Sequence, residues 1–396
     1  LKNSSTAKPL ILIVDDNPKN LQILGKYLQN EGYRVEFAID GDAALKWVDR
    51  TDFDLILLDV MMPGKDGFEV CKIIKSDPVK QKIPVIFLTA KVDTESIVNG
   101  FDLGAVDYVI KPFNQKELIA RVKTHIEIKR NRDEIARNLR EIHEKNKLIN
   151  YSIKYAERIQ SALINTCHNG TEHFPSCYEI SLPKDVVSGD FPWFFHTGER
   201  YFAGVFDCTG HGIPGAFMSI LGMTYLNETV LREKIFEPCL IMNRLRERII
   251  KALGQKGISG EVKDGMDGSI ICYKPKERLL TCSGAMNPVC LVRRKQLIEF
   301  KGDKMPLSFH DKMNDFSSHE IETMPGDMVY LFTDGWTDQF GGPESKKLGS
   351  VHFKNLLAEV SDMETSEQRR VLTNSFLKWK GEEEQTDDIT VVGLRL

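Results

Sequence analysis

Aspartates carry the chemistry this sequence offers, and they fall into two groups. In the first, Asp15-Asp16 follow the apolar run LILIV, and Asp59 lies at the end of DLILLDV. Thr89 closes PVIFLT, and Lys111 follows DYVI. Three carboxylates drawn together repel, and a hard divalent cation such as Mg²⁺, with its taste for oxygen ligands, relieves the repulsion. Beside a metal and a lysine, Asp59 can act as an oxygen nucleophile toward a phosphoryl donor. Thr89 and Lys111 are placed to meet the phosphoryl oxygens. A single acidic residue there reads equally well as a hydrated loop residue, but five functional residues at the ends of four runs do not.

The second group is Asp190 in DVVSGDF, Asp207 in VFDCTGHG, Asp334 in LFTDGWTD, and Asp387-Asp388 in QTDDITVV. Each lies beside a β-rich run, so a sandwich of sheets could gather them at one rim. Carboxylates without a Cys/His ligand pair point to Mg²⁺ or Mn²⁺ and away from zinc. Two such cations roughly 3.5–4 Å apart would activate a water and clamp a phosphoryl group for in-line attack. The stretch VFDCTGHGIPGAF has other readings. It could be a turn capping a helix. A phosphate loop would need GxxxxGK[ST], which is missing. Ser188 and His211 could begin a Ser–His–Asp set, but nothing matches the GxSxG elbow.

These residues need elements to position them. Residues 9–125 alternate β-rich runs (10–14, 34–38, 54–60, 84–89, 107–110) with amphipathic stretches, the pattern of an α/β doubly wound parallel sheet. In such a sheet, ligands bind beyond the carboxyl ends of the strands. Residues 114–164 contain neither Gly nor Pro. Ile recurs at 128, 135, 142 and 149, followed four residues later by Arg132, Leu139, Asn146 and Ile153. A strict seven-residue repeat predicts a helical coiled coil joining two chains through 128–153, and a buried Asn146 would fix its register. A long helix packed on its own domains is the alternative. From about 171, YFAGVFD, GSIICYK, LLTCSGA, PVCLVRR, DMVYLFTD and DITVVGLRL predict strands, with helical stretches at 217–252 and 351–379. That predicts an α+β layered β-sandwich domain. The expected organisation is 8–125, a helical coiled-coil linker at 126–170, and 171–396.

Bulk properties narrow the partners. A net charge of −4 gives no reason to expect a nucleic acid. Residues 114–164 carry 12 Lys/Arg against 7 Asp/Glu, a surplus of 5 that suits solvated helix faces. No run reaches the roughly 18 apolar residues of a spanning helix, and LKNSSTAKP has no apolar signal core, so no membrane is expected. Eight cysteines without a CxxC pair suit reduced thiols in a cytoplasmic protein.

Over residues 9–125 the chain resembles the response-regulator receiver family, through VDD, LLDVMMPGKDG, LTA and VIKPF. The resemblance implies that Asp59 is the phospho-acceptor, loaded by a cognate sensor histidine kinase. It implies one Mg²⁺ held by Asp16, Asp59 and the Met61 carbonyl, with Asp15 as an outer-sphere partner. Thr89 would be the switch hydroxyl, Tyr108 the switch aromatic and Lys111 the phosphate-sensing cation, and the Lys111–Pro112 bond would be cis.

From about 155 to 396 the chain resembles the sporulation-E (SpoIIE) type of protein phosphatase 2C-like Ser/Thr phosphatases. The matching motifs are YAERIQSALI, PKDVVSGDF, FDCTGHGIPGAFMS, GAMNPVCLV, GDMVYLFTDGWTDQFGGP and DDITVVGLRL. The resemblance implies that Asp190, Asp207, Asp334 and Asp387 hold two Mn²⁺ or Mg²⁺ ions, with Asp207 as bridge and the Cys208 carbonyl as a further ligand. Pro192 and Gly268-Ser269 depart from the family pattern without removing a ligand. His211 stands two residues later than the histidine of the animal-type enzymes. It is either the acid that protonates the leaving serine or a helix-entry packing or hydrogen-bonding residue. The expected function is a two-component response regulator whose Asp59 phosphorylation controls a Ser/Thr phosphatase. Its substrate would resemble an anti-sigma-factor antagonist. The rival is a phosphatase-like module that sequesters a partner without hydrolysing it.

Overall fold

The computed structural model describes residues 8–90, 94–164, 174, 176–258 and 263–396, with backbone only at 94–97. Its contacts divide the chain into two compact units, Leu1–Asn146 and Lys147–Leu396.

In the first unit, β1 (Leu10–Val14), α1 (Pro18–Asn30), β2 (Arg34–Ala38), α2 (Gly41–Arg50) and β3 (Leu55–Asp59) alternate. They continue as α3 (Gly67–Ser76), β4 (Val85–Thr89), α4 (Thr94–Asp102) and β5 (Asp107–Ile110). The strands pair in parallel in the order β2-β1-β3-β4-β5. Both faces of the sheet are covered, so β1, β3 and β4 are buried at every position. Leu10, Leu12 and Val14 face one core, and Ile11 and Ile13 the other. The helices start where side chains satisfy their free N–H groups: Asn17, Asp40 and Asp66 accept from Lys19, Ala43 and Glu69.

The last helix of this unit, α5 (Gln115–Leu163), runs on for 49 residues. Leu118, Val122 and Ile126 are buried in the core on one face of the parallel sheet. The segment expected to be a separate linker is therefore continuous with the fold before it. Beyond Ile126, Ile128, Ile135, Leu139, Ile142 and Ile149 are all about half exposed or more. Residues 165–170 of the expected linker lie outside the described residues.

The second unit begins with the end of α5 and continues through β6 (Ser176–Leu182), β7 (Phe191–Thr197), β8 (Arg200–Cys208), α6 (Gly212–Leu231) and α7 (Pro238–Leu253). Then come β9 (Met266–Lys274), β10 (Leu279–Ala285), β11 (Val289–Arg293), β12 (Gln296–Phe300), β13 (His319–Glu322) and β14 (Met328–Phe332). The chain ends with α8 (Gly335–Asp338), β15 (Phe340–Gly341), β16 (Lys346–Lys347), α9 (Ser350–Val360), α10 (Thr365–Lys380) and β17 (Ile389–Arg395).

Two antiparallel sheets, β13-β10-β9-β8-β7 and β12-β11-β14-β17-β6, stack face to face. Val205, Ile271, Leu291, Val329, Leu331 and Val392 fill the space between them. Met328, Tyr330 and Phe332, the alternate residues of β14, point the other way onto α9 and α10. The outer face of the first sheet carries α6 and α7 over Phe191, Phe202 and Phe206.

The six strands expected from sequence are the six inner strands, and the four edge strands were not anticipated. One of these, β7, contains Pro192, tolerated there because an edge strand has one side unpaired. The helical stretch expected at 217–252 starts earlier and breaks before Pro238, which opens α7. That expected at 351–379 breaks at 361–364, between α9 and α10.

Candidate functional site

The parallel sheet brings Asp15, Asp16 and Asp59 to one edge, with ligand oxygens within 4.8 Å of one another. Asp15 is fully buried. Its Oδ1 accepts from the Asn17 N–H and the Asn20 amide, both at 2.9 Å, and its Oδ2 accepts from Lys111 Nζ at 2.8 Å. Lys111 also donates to Asp59 Oδ2 at 2.6 Å, and the Met61 N–H to Asp59 Oδ1 at 3.3 Å. Burial raises the Asp59 pKa above the usual carboxylate range, against the pull of Lys111. For Lys111, burial opposes the charge, but the bonds to Asp15 and Asp59 outweigh it and its pKa rises.

Asp16 is exposed, so the nest opens to solvent on one side. Buried Thr89 ends β4, and its carbonyl accepts from the Lys111 N–H at 2.8 Å. Tyr108 is half-buried, edge-on to Phe101 at 6.2 Å and under the Arg121 guanidinium at 5.7 Å. The Lys111–Pro112 bond is cis. Asn20 was not anticipated, because nothing in its sequence neighbourhood marks it as a partner of Asp15.

In the sandwich, Asp190 directly precedes β7, Asp207 lies near the end of β8, Asp334 follows β14, and Asp387 precedes β17. Asp190 is buried, and its Oδ2 accepts from Thr333 Oγ1 at 2.6 Å. Asp207 stands close enough to Asp190 and Asp334 for their charges to bear on its own. Burial raises the pKa of all three, and mutual repulsion raises that of Asp207 further, with Asp387 and Asp267 contributing. A divalent cation among these mutually repelling carboxylates relieves both costs, so the donor set fits a hard metal ion. Among the described residues, only the receiver trio brings three carboxylates within 4.8 Å of one another. In the sandwich, Asp207 instead faces the charges of Asp190, Asp334, Asp387 and Asp267.

Two aspartates there were not sorted by sequence. Asp267 sits on β9 directly opposite Asp207, and burial with the Asp334 charge lifts its pKa to about 6. Its signal was the β8–β9 register, which sequence does not reveal. Asp388 is buried, and its two oxygens accept from the Lys184 and Gly189 N–H groups, both at 2.7 Å. It pins the loop that carries Asp190, whereas its neighbour Asp387 remains half-exposed. Gly335 lets these motifs meet, since a Cβ there would lie 2.0 Å from the Asp388 carbonyl. At Gly268 a Cβ would lie 2.5 Å from the Phe206 ring, which accounts for the small residue at that departure. The Cys208 thiol is buried and held far above its usual pKa by burial, so its chemistry is confined to the backbone.

Gln160, near the end of α5, was also not anticipated. It is buried and donates to the Ser188 carbonyl at 2.6 Å and to Ser219 Oγ at 2.8 Å. The Ser188 N–H donates back to it at 3.2 Å. Beside Asp207 and Asp267, a groove of about 300 Å³ is lined by Thr209, Lys263, Ser308 and Phe309.

A parallel α/β unit with an acidic nest, and a helix-covered antiparallel sandwich with a row of aspartates at its strand ends, define a receiver fused to a protein phosphatase 2C-like domain. The chain belongs to the stage II sporulation protein E family, whose sequence model matches residues 197–396, just over half its length. The response regulator receiver domain matches residues 11–123. The SiaA-PP2C domain of Pseudomonas aeruginosa is similar in structure, with a TM-score of 0.58 and 27% identity, covering 64% of this chain and 98% of that one. The DNA-binding response regulator MtrA of Mycolicibacterium smegmatis is 42% identical over 134 residues, 34% of this chain and 57% of that protein. The transcriptional regulatory protein ResD of Bacillus subtilis is 43% identical over 118 residues, 30% of this chain and 48% of that protein. The chain thus spans about half the length of these curated relatives. Among the described residues, no helix is long and apolar enough to cross a membrane.

Proposed function

We propose that this chain is a response regulator in which phosphorylation of Asp59 controls a metal-dependent protein serine/threonine phosphatase. The observation that carries the reading is Asp207, half-buried near the end of β8 and facing the charges of Asp190, Asp334, Asp387 and Asp267. Asp190, Asp207, Asp334 and Asp387, with the Cys208 carbonyl, would hold two Mn²⁺ or Mg²⁺ ions. Asp16, Asp59 and the Met61 carbonyl would hold one Mg²⁺ in the receiver, with Asp15 beside it. When bound, a pair of divalent cations lowers the pKa of a water and neutralises charge on a phosphoryl group.

The chain's own residues set the rest. Thr333 orients Asp190, Asp388 fixes its loop, and the groove beside Asp207 and Asp267 receives the polypeptide flanking the phosphorylated residue. The substrate is a phosphoserine or phosphothreonine on a small regulatory protein of the anti-sigma-factor antagonist type. A sensor histidine kinase supplies the phosphoryl group to Asp59, Thr89 and Tyr108 switch with it, and two chains join through the 128–153 seam.

The test is phosphate release from a phosphoserine protein at saturating Mn²⁺. Asp207→Asn should reduce turnover by orders of magnitude while its circular dichroism stays that of the folded protein. Because the receiver has its own acidic nest, Asp16→Asn serves as the comparison and should retain Mn²⁺-dependent release. Wild-type rates from folded Asp207→Asn would sink the hydrolase reading and favour a module that sequesters its partner.

A further inference from the structure

The groove beside Asp207 is lined by two half-buried carboxylates, Asp207 and Asp267, and by one exposed cation, Lys263. No other lysine or arginine is among its lining residues. The Lys263 Nζ lies 5.4 Å from the centre of the Phe309 ring, in a cation–π contact, and 3.1 Å from Asp311 Oδ1. The Asp311 side chain is 84% exposed, so this ion pair contributes little to stability. Lys263 can therefore exchange Asp311 for a carboxylate that arrives with a substrate.

The fold holds this cation beside the aspartates. Lys263 stands just before β9, which carries Asp267. Buried Gln255 ties the two walls together: its Oε1 accepts from the Phe309 N–H at 2.9 Å, and its amide donates to the Asp264 carbonyl. The Thr209 N–H donates to the Gly265 carbonyl at 3.0 Å, and the Leu307 N–H to the Met266 carbonyl at 2.8 Å. Gly257, at φ 70°, would place a Cβ 2.1 Å from the Phe309 ring, so the ring packs against bare backbone. Walls fixed in this way need no ordering when a ligand enters.

Resting on the phosphatase reading, we propose that this groove selects phosphoproteins with an acidic side chain close in sequence to the phosphorylated residue. Lys263 is the specificity-determining residue that receives it. A polypeptide whose phosphorylated residue reaches Asp207 lays its neighbouring residues along the groove. An aspartate or glutamate among them takes the place of Asp311 on Lys263, whose ammonium stays over the Phe309 ring. A lysine or arginine at the same position meets a like charge. One exposed pair discriminates modestly, so it sorts among phosphoproteins and leaves the chemistry at phosphorus to the aspartates.

The test uses the full chain at saturating Mn²⁺ with phosphoserine peptides of otherwise uncharged sequence. Each carries Glu, Gln or Lys at one position within about three residues of the phosphoserine. For at least one position, wild type should favour Glu over Gln in kcat/KM by about fivefold, and over Lys by more. The preference should shrink as salt is added. Lys263→Glu should reverse the order, taking the Lys peptide in preference to the Glu peptide at that position. Its loss on the Glu peptide should exceed its loss on p-nitrophenyl phosphate, which has no flanking residues, by about fivefold. No charge preference in wild type, or the wild-type preference retained in Lys263→Glu, would overturn the proposal. Equal losses on the Glu peptide and p-nitrophenyl phosphate would also overturn it, by making Lys263 a ligand of the phosphoryl group itself. Hydrolysis of p-nitrophenyl phosphate by a wild type blind to peptide charge would sink the groove inference alone. A wild-type chain without Mn²⁺-dependent hydrolysis of any of these substrates would overturn the phosphatase reading, and the groove's selectivity with it.

Discussion

Asp387 and Asp388 are chemically identical neighbours, and the fold gives them opposite work. Asp388 is the acceptor for two loop N–H groups, so Asp388→Ala orphans both and should cost at least about 2 kcal/mol of stability. Mn²⁺ affinity should also weaken, about 10–100-fold as for other supports of metal ligands. Asp387→Ala should instead remove catalysis with a far smaller change in melting temperature; equal melting temperatures for the two variants would contradict the division. Asp267 makes a second measurable case. Its pKa is raised from 3.8 to about 6, so the native state holds this proton more tightly than the unfolded chain does. That contribution is complete below about pH 4 and is lost as pH rises through 6. Metal-free protein should therefore melt at a lower temperature at pH 7 than at pH 5, with a flatter slope in Asp267→Asn. An unchanged slope would remove Asp267 as the cause. The carboxylates proposed as metal ligands stood out in the sequence because each sits in a local motif. Asp267, Gln160 and Asn20 did not, because their partners are supplied by pairing or packing across the fold.

At the scale of elements, legibility followed burial. The inner strands β8, β9, β10, β11, β14 and β17 are covered on both faces and read as apolar runs. The edge strands β12 and β13, QLIEF and HEIE, are half-exposed and carry charge, as edges that must not pair with another chain do. Their sequences therefore resemble loops. The helix α5 was legible for a different reason: the absence of breakers fixes its length, and the seven-residue repeat fixes its apolar seam. That seam, with Ile135 and Ile142 exposed, leaves apolar side chains in water along a helix too long to fold back on itself. The proposed dimer covers it. Replacing both isoleucines with Lys would put like charges across the seam, and light scattering should then report monomer where the wild type gives dimer. An unchanged dimer would place the interface elsewhere.

For the whole molecule, the long helix is the one element whose two ends both bear on chemistry. Its start supplies Leu118, Val122 and Ile126 to the core beneath the receiver sheet. Its end sets Gln160 on Ser188, two residues before Asp190. A change in the helix's packing or pairing can therefore reach the loop that carries Asp190 along the helix itself. If receiver control travels this way, the continuity and phase of the helix matter. Seven residues inserted after Glu141 preserve the face presented at each end to within about 20°. Two inserted residues turn one end by about 200° relative to the other, at 3.6 residues per turn. A Pro-Gly pair breaks the helix outright. Phosphate release should be measured with and without a small phosphodonor and Mg²⁺, with Asp59→Asn as the unresponsive reference. The seven-residue insertion should keep the wild-type response to the donor. The two-residue and Pro-Gly insertions should retain Mn²⁺-dependent release but no longer alter it when Asp59 is phosphorylated. A full response from the Pro-Gly chain would show that the signal does not pass along the helix.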